Sequence, residues 1–343
     1  MFFKAAVVGC GRIGCAFDDD PIRKKEWGAS THAGSYFQNP HIELSALCDI
    51  DNRKLEKYGK KFKVKNLFLD IDELLDTVKP DILSVCAPTD QHEKITIKAA
   101  RSGVKFVFCE KPIATSKESA LRMIKECEKY NTKLMVNHLR RFDSVFINIK
   151  KMINGDKLGN LQIGTFYYTA GIHNTGSHII DLLSYYYGAV DWVIGSEGVK
   201  STNSFDPNIN GIIKFKNGAS STINSLNVND YLIFEGDILG SKGRIRILSS
   251  GFNIEFYKIS KSKHFAGYNE LQKSRVPFTI PKKRLFIINA VNHILACLEN
   301  KRKPISTGYD ALYTLQIIEA LIKSAKHNSK KYFLASPIIA TKG

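Results

Sequence analysis

The sequence predicts an α/β Rossmann domain, a doubly wound parallel sheet, followed by an α+β domain with an open, mainly antiparallel sheet. Three observations predict it. Strand and helix patterns alternate from Lys4 to Asn137, which is the rhythm of a parallel sheet with helical crossovers. A glycine turn, Gly9-Cys10-Gly11-Arg12-Ile13-Gly14, follows the first strand directly. Beyond Val145 strands follow one another through tight turns such as Lys216-Asn217-Gly218-Ala219 and Gly240-Ser241-Lys242-Gly243; successive hairpins make antiparallel sheet.

The elements follow in order. Strands are expected over 4–8, 42–48, 67–68, 82–87, 104–109 and 133–137, each rich in β-branched or aromatic residues. Helices are expected over 32–38, 51–62, 71–78, 92–101 and 117–130. Asn39-Pro40, Lys79-Pro80 and Ser102-Gly103 close three of them, because proline cannot continue a helix and glycine favours its end. A helix over 145–153 and an extended run over 161–170 open the second part, followed by a helix over 178–187. Strands are then expected over 192–199, 209–215, 220–226, 231–239, 243–248 and 252–259, and two helices, 284–299 and 309–325, finish it. The expected domains are 1–138 and 139–343, with the C-terminal helices free to pack back on the first.

At 343 residues the chain is longer than one core usually supports. With 43% hydrophobic and 24% charged residues its composition is that of a globular protein. No apolar run reaches the length of a membrane span. The N-terminal apolar residues lead into the glycine turn and read as a first strand, not as a signal peptide. Seven cysteines are scattered without metal-ligand spacing, so reduced thiols, a cytoplasmic location and no metal site are expected. The net charge of +17 suggests an anionic partner. The basic residues are dispersed, however, and no nucleic-acid motif accompanies them, so neither a nucleic acid nor a membrane is expected as partner.

The glycine turn fits a dinucleotide site, because glycines let backbone N–H groups approach a pyrophosphate at a helix start. Asp49, at the end of the second strand, suits the ribose hydroxyls and disfavours a 2′-phosphate. NAD is therefore expected ahead of NADP, although Arg53 lies close by. Residues 17–31 look like an insertion before the helix at His32. They are expected as a lid, with Arg23 or Lys24 near a substrate phosphate, or as an exposed mobile loop. Asp18-Asp19-Asp20 within it do not converge as metal ligands. Glu110-Lys111-Pro112 ends the fifth strand, where open α/β sheets hold their ligands.

With Ala87-Pro88-Thr89 and His92, Arg140-Arg141-Phe142, and Asn174-Thr175-Gly176-Ser177-His178 followed by Asp181, these motifs resemble the glucose-fructose oxidoreductase and inositol dehydrogenase (Gfo/Idh/MocA) family. The resemblance implies NAD(P)-dependent hydride transfer at a secondary alcohol carbon of a sugar, cyclitol or nucleotide-sugar. It carries Lys111 and His178 over as the proton-handling pair. Cofactor contacts are expected from Gly9, Gly11, Arg12, Ile13, Gly14, Asp49, Ala87, Pro88, Thr89, His92, Glu110 and Lys111. Substrate contacts are expected from Asn174, Asp181, Arg140 or Arg141, and Arg23. A homodimer or homotetramer through the outer face of the second sheet is also implied. Many members carry aspartate where this chain has Asn174, and an amide cannot take up a proton. That departure keeps open a non-catalytic, dinucleotide-binding regulator of the same fold.

Overall fold

The computed structural model describes residues 2–201 and 203–337. Contacts group the chain into two units, Met1–Asp143 with Pro281–Leu312, and Ser144–Ile280 with Tyr313–Gly343.

The first unit runs β1 (Phe3–Val8), α1 (Pro21–Trp27), α2 (His32–Gln38), β2 (Ile42–Cys48), α3 (Asn52–Phe62), β3 (Asn66–Phe68), α4 (Ile71–Val78), β4 (Ile82–Val85), α5 (His92–Arg101), β5 (Phe106–Cys109), α6 (Lys117–Lys129) and β6 (Lys133–Val136). Its six strands lie in the order β3-β2-β1-β4-β5-β6, all parallel. All four residues of β4 and of β5 are buried, because helices cover both faces of such a sheet. The strand order reverses between β1 and β4, which leaves a crevice at the carboxyl ends of those strands.

The insertion is neither a bare loop nor a detached lid. Asp20 caps α1, accepting from Ile22 N and Arg23 N at 2.9 and 3.3 Å, with Pro21 in the first helical turn. The segment is spliced into a helix that begins at the glycine turn. His32 N donates to Ile13 O and Ala33 N to Gly14 O, at 3.1 and 3.0 Å, so α2 resumes the helical hydrogen bonding across the inserted residues. Asp18 staples the ends together, accepting from Ser30 N at 2.6 Å and Thr31 Oγ1 at 2.5 Å. Gly34 leaves room for that carboxylate, since a Cβ there would lie 1.8 Å from Asp18 Oδ2. Asp19 faces the other way and accepts from Lys57, Lys61 and Tyr58. Burial alone would raise its pKa, but these donors hold it down at about 2. The acidic triplet thus diverges to three sets of partners.

The second unit contains α7 (Ser144–Asn154), β7 (Leu161–Thr169), α8 (Ser177–Tyr187), β8 (Val190–Glu197), β9 (Ile209–Phe215), β10 (Ser220–Leu226), β11 (Phe234–Gly240), β12 (Gly243–Leu248), β13 (Asn253–Lys261) and β14 (Asn269–Ser274). After α9 (Phe286–Leu298), which packs in the first unit, come α10 (Gly308–Lys326) and β15 (Tyr332–Phe333). The sheet order is β14-β13-β12-β11-β7-β10-β9-β8-β15. Pairing is antiparallel except between β7 and β10. Strand residues alternate along most of the sheet: Phe166, Ile223, Ile238, Ile245 and Phe256 face a core closed by Ile179 and Leu182 of α8. On the opposite face Ile163, Tyr167 and Ile212 remain exposed. They share that face with an ion-pair network of Asp237, Arg244, Arg246, Glu255 and Lys273.

Candidate dinucleotide and catalytic site

The glycine turn is held by backbone packing against β4. Gly9 has φ +97°, and a Cβ on it would lie 2.5 Å from Cys86 C and 2.6 Å from Ala87 N. A Cβ on Gly14 would lie 1.9 Å from Gly9 O. Gly11 differs, with open space where its Cβ would point. The N–H groups of Arg12 and Ile13 have no protein acceptor among the described residues. Free donors beside an open glycine form a cradle that fits a pyrophosphate.

Asp49 lies beside this turn. Its Oδ2 accepts from Cys10 N at 2.7 Å and its Oδ1 from Asp51 N at 2.9 Å. Asp51, not Asp49, caps α3 by accepting from Arg53 N. Asp49 therefore ties β2 to the glycine turn, and its oxygens keep lone pairs for ribose hydroxyls.

Glu110-Lys111-Pro112 emerges from β5 on a polar scaffold. Glu110 is 8% exposed. Its Oε1 accepts from His32 Nε2 at 2.9 Å and Asn137 Nδ2 at 2.6 Å, and its Oε2 from Lys111 N at 3.2 Å. The other ring nitrogen of His32 lies 2.8 Å from Ser84 Oγ, which lies 2.8 Å from the Tyr36 hydroxyl. The acceptor-only carboxylate orders the chain: Tyr36 donates to Ser84, Ser84 to His32 Nδ1, and His32 Nε2–H to Glu110. Burial alone would raise the Glu110 pKa. The hydrogen bonds from His32 and Asn137 and the charge of Lys111 outweigh it, and the carboxyl sits below its ordinary value. A carboxyl lowered in the folded state stabilises the fold above its unfolded pKa and loses that contribution as pH falls through its folded value. Glu110→Gln should therefore cost roughly 1–3 kcal/mol at neutral pH. The gap to wild type should narrow on acidification, as read from urea midpoints at pH 7 and below pH ~4.

His92 packs between two loops of the sheet edge. It is 1% exposed, with Nε2 at 2.9 Å from Ala87 O and Nδ1 at 3.0 Å from Pro112 O. Both nitrogens face backbone carbonyls, and a neutral ring donates to one of them, so the imidazole is wedged between the Ala87-Pro88-Thr89 loop and the one carrying Lys111. Lys111 itself is half-buried. Arg141 departs from expectation. It is not on the surface: it is 4% exposed, and its Nη1 lies 2.9 Å from Ile305 O and 3.0 Å from Asp310 Oδ1. Arg140 is half-buried. Arg23 stacks over Phe17 and Trp27, at 3.7 and 4.7 Å from the ring centroids.

In the second unit a π-helical turn, Ile172–Gly176, leads into α8. Asn174, His178 and Asp181 fall at i, i+4 and i+7, so they share one face. His178 and Asp181 are buried, while Asn174 is exposed. Asp206 accepts from His173 N at 2.8 Å and Asn174 N at 2.9 Å and fixes the start of this segment. Gly171, at φ +88°, lets it approach: a Cβ there would lie 2.2 Å from the Asp206 carboxyl carbon.

Sequence reading missed His32, Ser84 and Asp206. A signal existed for Ser84, a lone hydroxyl inside the apolar run Ile82-Leu83-Ser84-Val85; a buried hydroxyl requires a partner. No local signal marks Asp206.

Residues 3–138 match the family model described as an oxidoreductase family with an NAD-binding Rossmann fold, and residues 170–333 match that family's C-terminal alpha/beta domain. The chain belongs to the Gfo/Idh/MocA oxidoreductase family. Its first unit is the NAD-binding Rossmann domain. A D-apiose dehydrogenase from Paraburkholderia graminis is 22% identical over 94% of this chain and 88% of its own length. An inositol 2-dehydrogenase from Salmonella typhimurium is 27% identical over 62% of this chain and 60% of its own length. Among solved structures, the WlbA dehydrogenase from Bordetella pertussis, in complex with NADH and UDP-GlcNAcA, superposes with a TM-score of 0.77. It is 21% identical, with 98% of this chain and 99% of that one covered. No helix of the described residues is long and apolar enough to cross a membrane.

Proposed function

We propose that this chain is an NAD-dependent dehydrogenase acting on a secondary alcohol of a sugar, cyclitol or nucleotide-sugar, or reducing the matching ketone. The observation that carries this reading is Lys111. It stands just beyond the carboxyl end of β5, on the same edge of the sheet as the glycine turn, with its backbone N–H bonded to Glu110 and the next carbonyl, Pro112 O, in contact with His92. The relatives named as D-apiose and inositol dehydrogenases support the substrate class. NAD, when bound, accepts hydride at its nicotinamide C4. Lys111 hydrogen-bonds the reacting oxygen, and Lys111 and His178 handle its proton. Asn174 orients a substrate hydroxyl without taking a proton, and Asp181 and Arg140 contact the substrate. Asp49 places NADP second.

The protein acts in the cytoplasm as a homodimer or homotetramer. The exposed Ile163, Tyr167 and Ile212 on the outer sheet face support an interface there.

The test is a panel of sugars, cyclitols and nucleotide-sugars, read by NADH absorbance with purified protein that binds NADH. One substrate turning over supports the reading; a silent panel with intact NADH binding sinks it. Asn174 favours one rival, a non-catalytic regulator, which a silent panel together with a stoichiometric protein partner released by NADH would support.

A further inference from the structure

Arg12 and Arg23 meet on one aromatic ring. The Arg23 guanidinium lies 3.7 Å from the Phe17 centroid, and the Arg12 guanidinium lies 5.1 Å from it. Trp27 covers Arg23 further, at 4.7 Å. Stacking fixes a planar guanidinium and leaves its edge donors free.

The nearby carboxylates are spent elsewhere. Asp18 staples the insertion, and Asp19 is held by Lys57, Lys61 and Tyr58. Asp20 caps α1 through Oδ1. Its Oδ2 stands 3.8 Å from Arg23 Nε, beyond a hydrogen bond. Among the described residues neither guanidinium donates a hydrogen bond to the protein, and Arg12 has no carboxylate within ion-pair distance. Arg23 nevertheless has a side chain only 28% exposed. Burial lowers its pKa; Asp20 opposes that, and the neighbouring Arg12 charge adds to it. Two close cations with unspent donors are held together at a cost that a bound anion would relieve. Arg12 is itself a member of the turn whose N–H groups form the pyrophosphate cradle.

We propose that Arg12 and Arg23 form a two-guanidinium clamp for a phosphoryl group, built by the insertion onto the edge of the glycine turn. The proposal rests on the reading of that turn as a dinucleotide site. The recognised chemistry is a diphosphate, supplied either by the bound dinucleotide or by a nucleoside-diphosphate portion of the substrate.

The test measures dissociation constants of NADH and of uridine diphosphate for wild type, Arg12→Gln, Arg23→Gln and Arg23→Lys, with melting temperatures as a control. At least one probe should bind roughly tenfold more weakly to both glutamine variants. Arg23→Lys should recover only part of that loss, because an ammonium lacks the planar fork. Loss of NADH affinity assigns the clamp to the cofactor diphosphate. Loss of uridine diphosphate affinity with NADH unchanged assigns it to the substrate. Changes under twofold for both probes in Arg12→Gln, whose exposed side chain makes no hydrogen bond that would disturb folding, overturn the clamp. The readout is binding alone, so a protein that binds NADH but oxidises no sugar would refute the dehydrogenase reading and leave this result standing.

Discussion

Replacing Lys111 with alanine should lower kcat roughly a hundred- to ten-thousand-fold while NADH still binds. The expectation follows from how the lysine is supported. Its backbone is held from the amino side by Glu110 Oε2 and from the carboxyl side by the His92 contact to Pro112 O. Neither restraint uses the ammonium group. Removing the side chain therefore leaves these two restraints in place and deletes the group proposed to meet the reacting oxygen. NADH affinity, read by fluorescence titration, should change by less than about threefold, because the glycine turn and Asp49 supply separate contacts. Stability should fall only modestly: the Lys111 charge helps keep the Glu110 carboxyl ionised, but the bonds to that carboxylate from His32 and Asn137 remain. Full turnover in this variant would refute the assigned role. A parallel loss in His178→Asn would support His178 as the second proton-handling residue.

The residues proposed to carry chemistry are easier to read from the sequence than those that hold them. Gly9 to Gly14, Asp49 and Lys111 each lie at a strand end, and a strand end is a local pattern. Their supports are remote. Glu110 meets His32 across 78 residues and Ser84 meets Tyr36 across 48, and nothing in a single sequence couples such positions. The insertion was partly legible. Asp20-Pro21 is a helix start, an N-cap followed by proline, yet its acidic and basic neighbours give it the look of a loop. What could not be read was the splice, because α2 takes its first hydrogen bonds from the far side of fifteen intervening residues, 17–31.

The second sheet shows the same divide. Its hairpins follow from turn chemistry and alternation. The parallel pairing of β7 with β10 does not, since β7 enters between strands that follow it in sequence. β14 was missed because Asn269–Ser274 is largely polar and pairs only with β13 at the sheet edge. β15 is two residues long and pairs only with β8. Edge strands carry one ladder and a weak apolar pattern.

Gly14→Ala should abolish NADH binding and destabilise the first unit, whereas Gly11→Ala should weaken binding with little change in stability. The contrast separates the two duties of a glycine turn. A Cβ on Gly14 meets Gly9 O at 1.9 Å and Cys86 Cβ at 3.3 Å. The first of these is backbone, which cannot swing aside as a side chain can, so Gly14 and Gly9 must move apart and the turn must open. Overpacking of this kind costs about 1–3 kcal/mol or more, and the shift also disperses the N–H groups that form the cradle. Gly11 carries no such constraint, because its Cβ would enter open space and its φ lies outside the left-handed region. Alanine there is compatible with the fold and intrudes only on a phosphate that approaches the backbone closely. Thermal melts and NADH titrations of both variants check the pair. If Gly11→Ala bound NADH as tightly as wild type, the diphosphate would not sit over Gly11, and the cradle would have to be placed elsewhere on the turn.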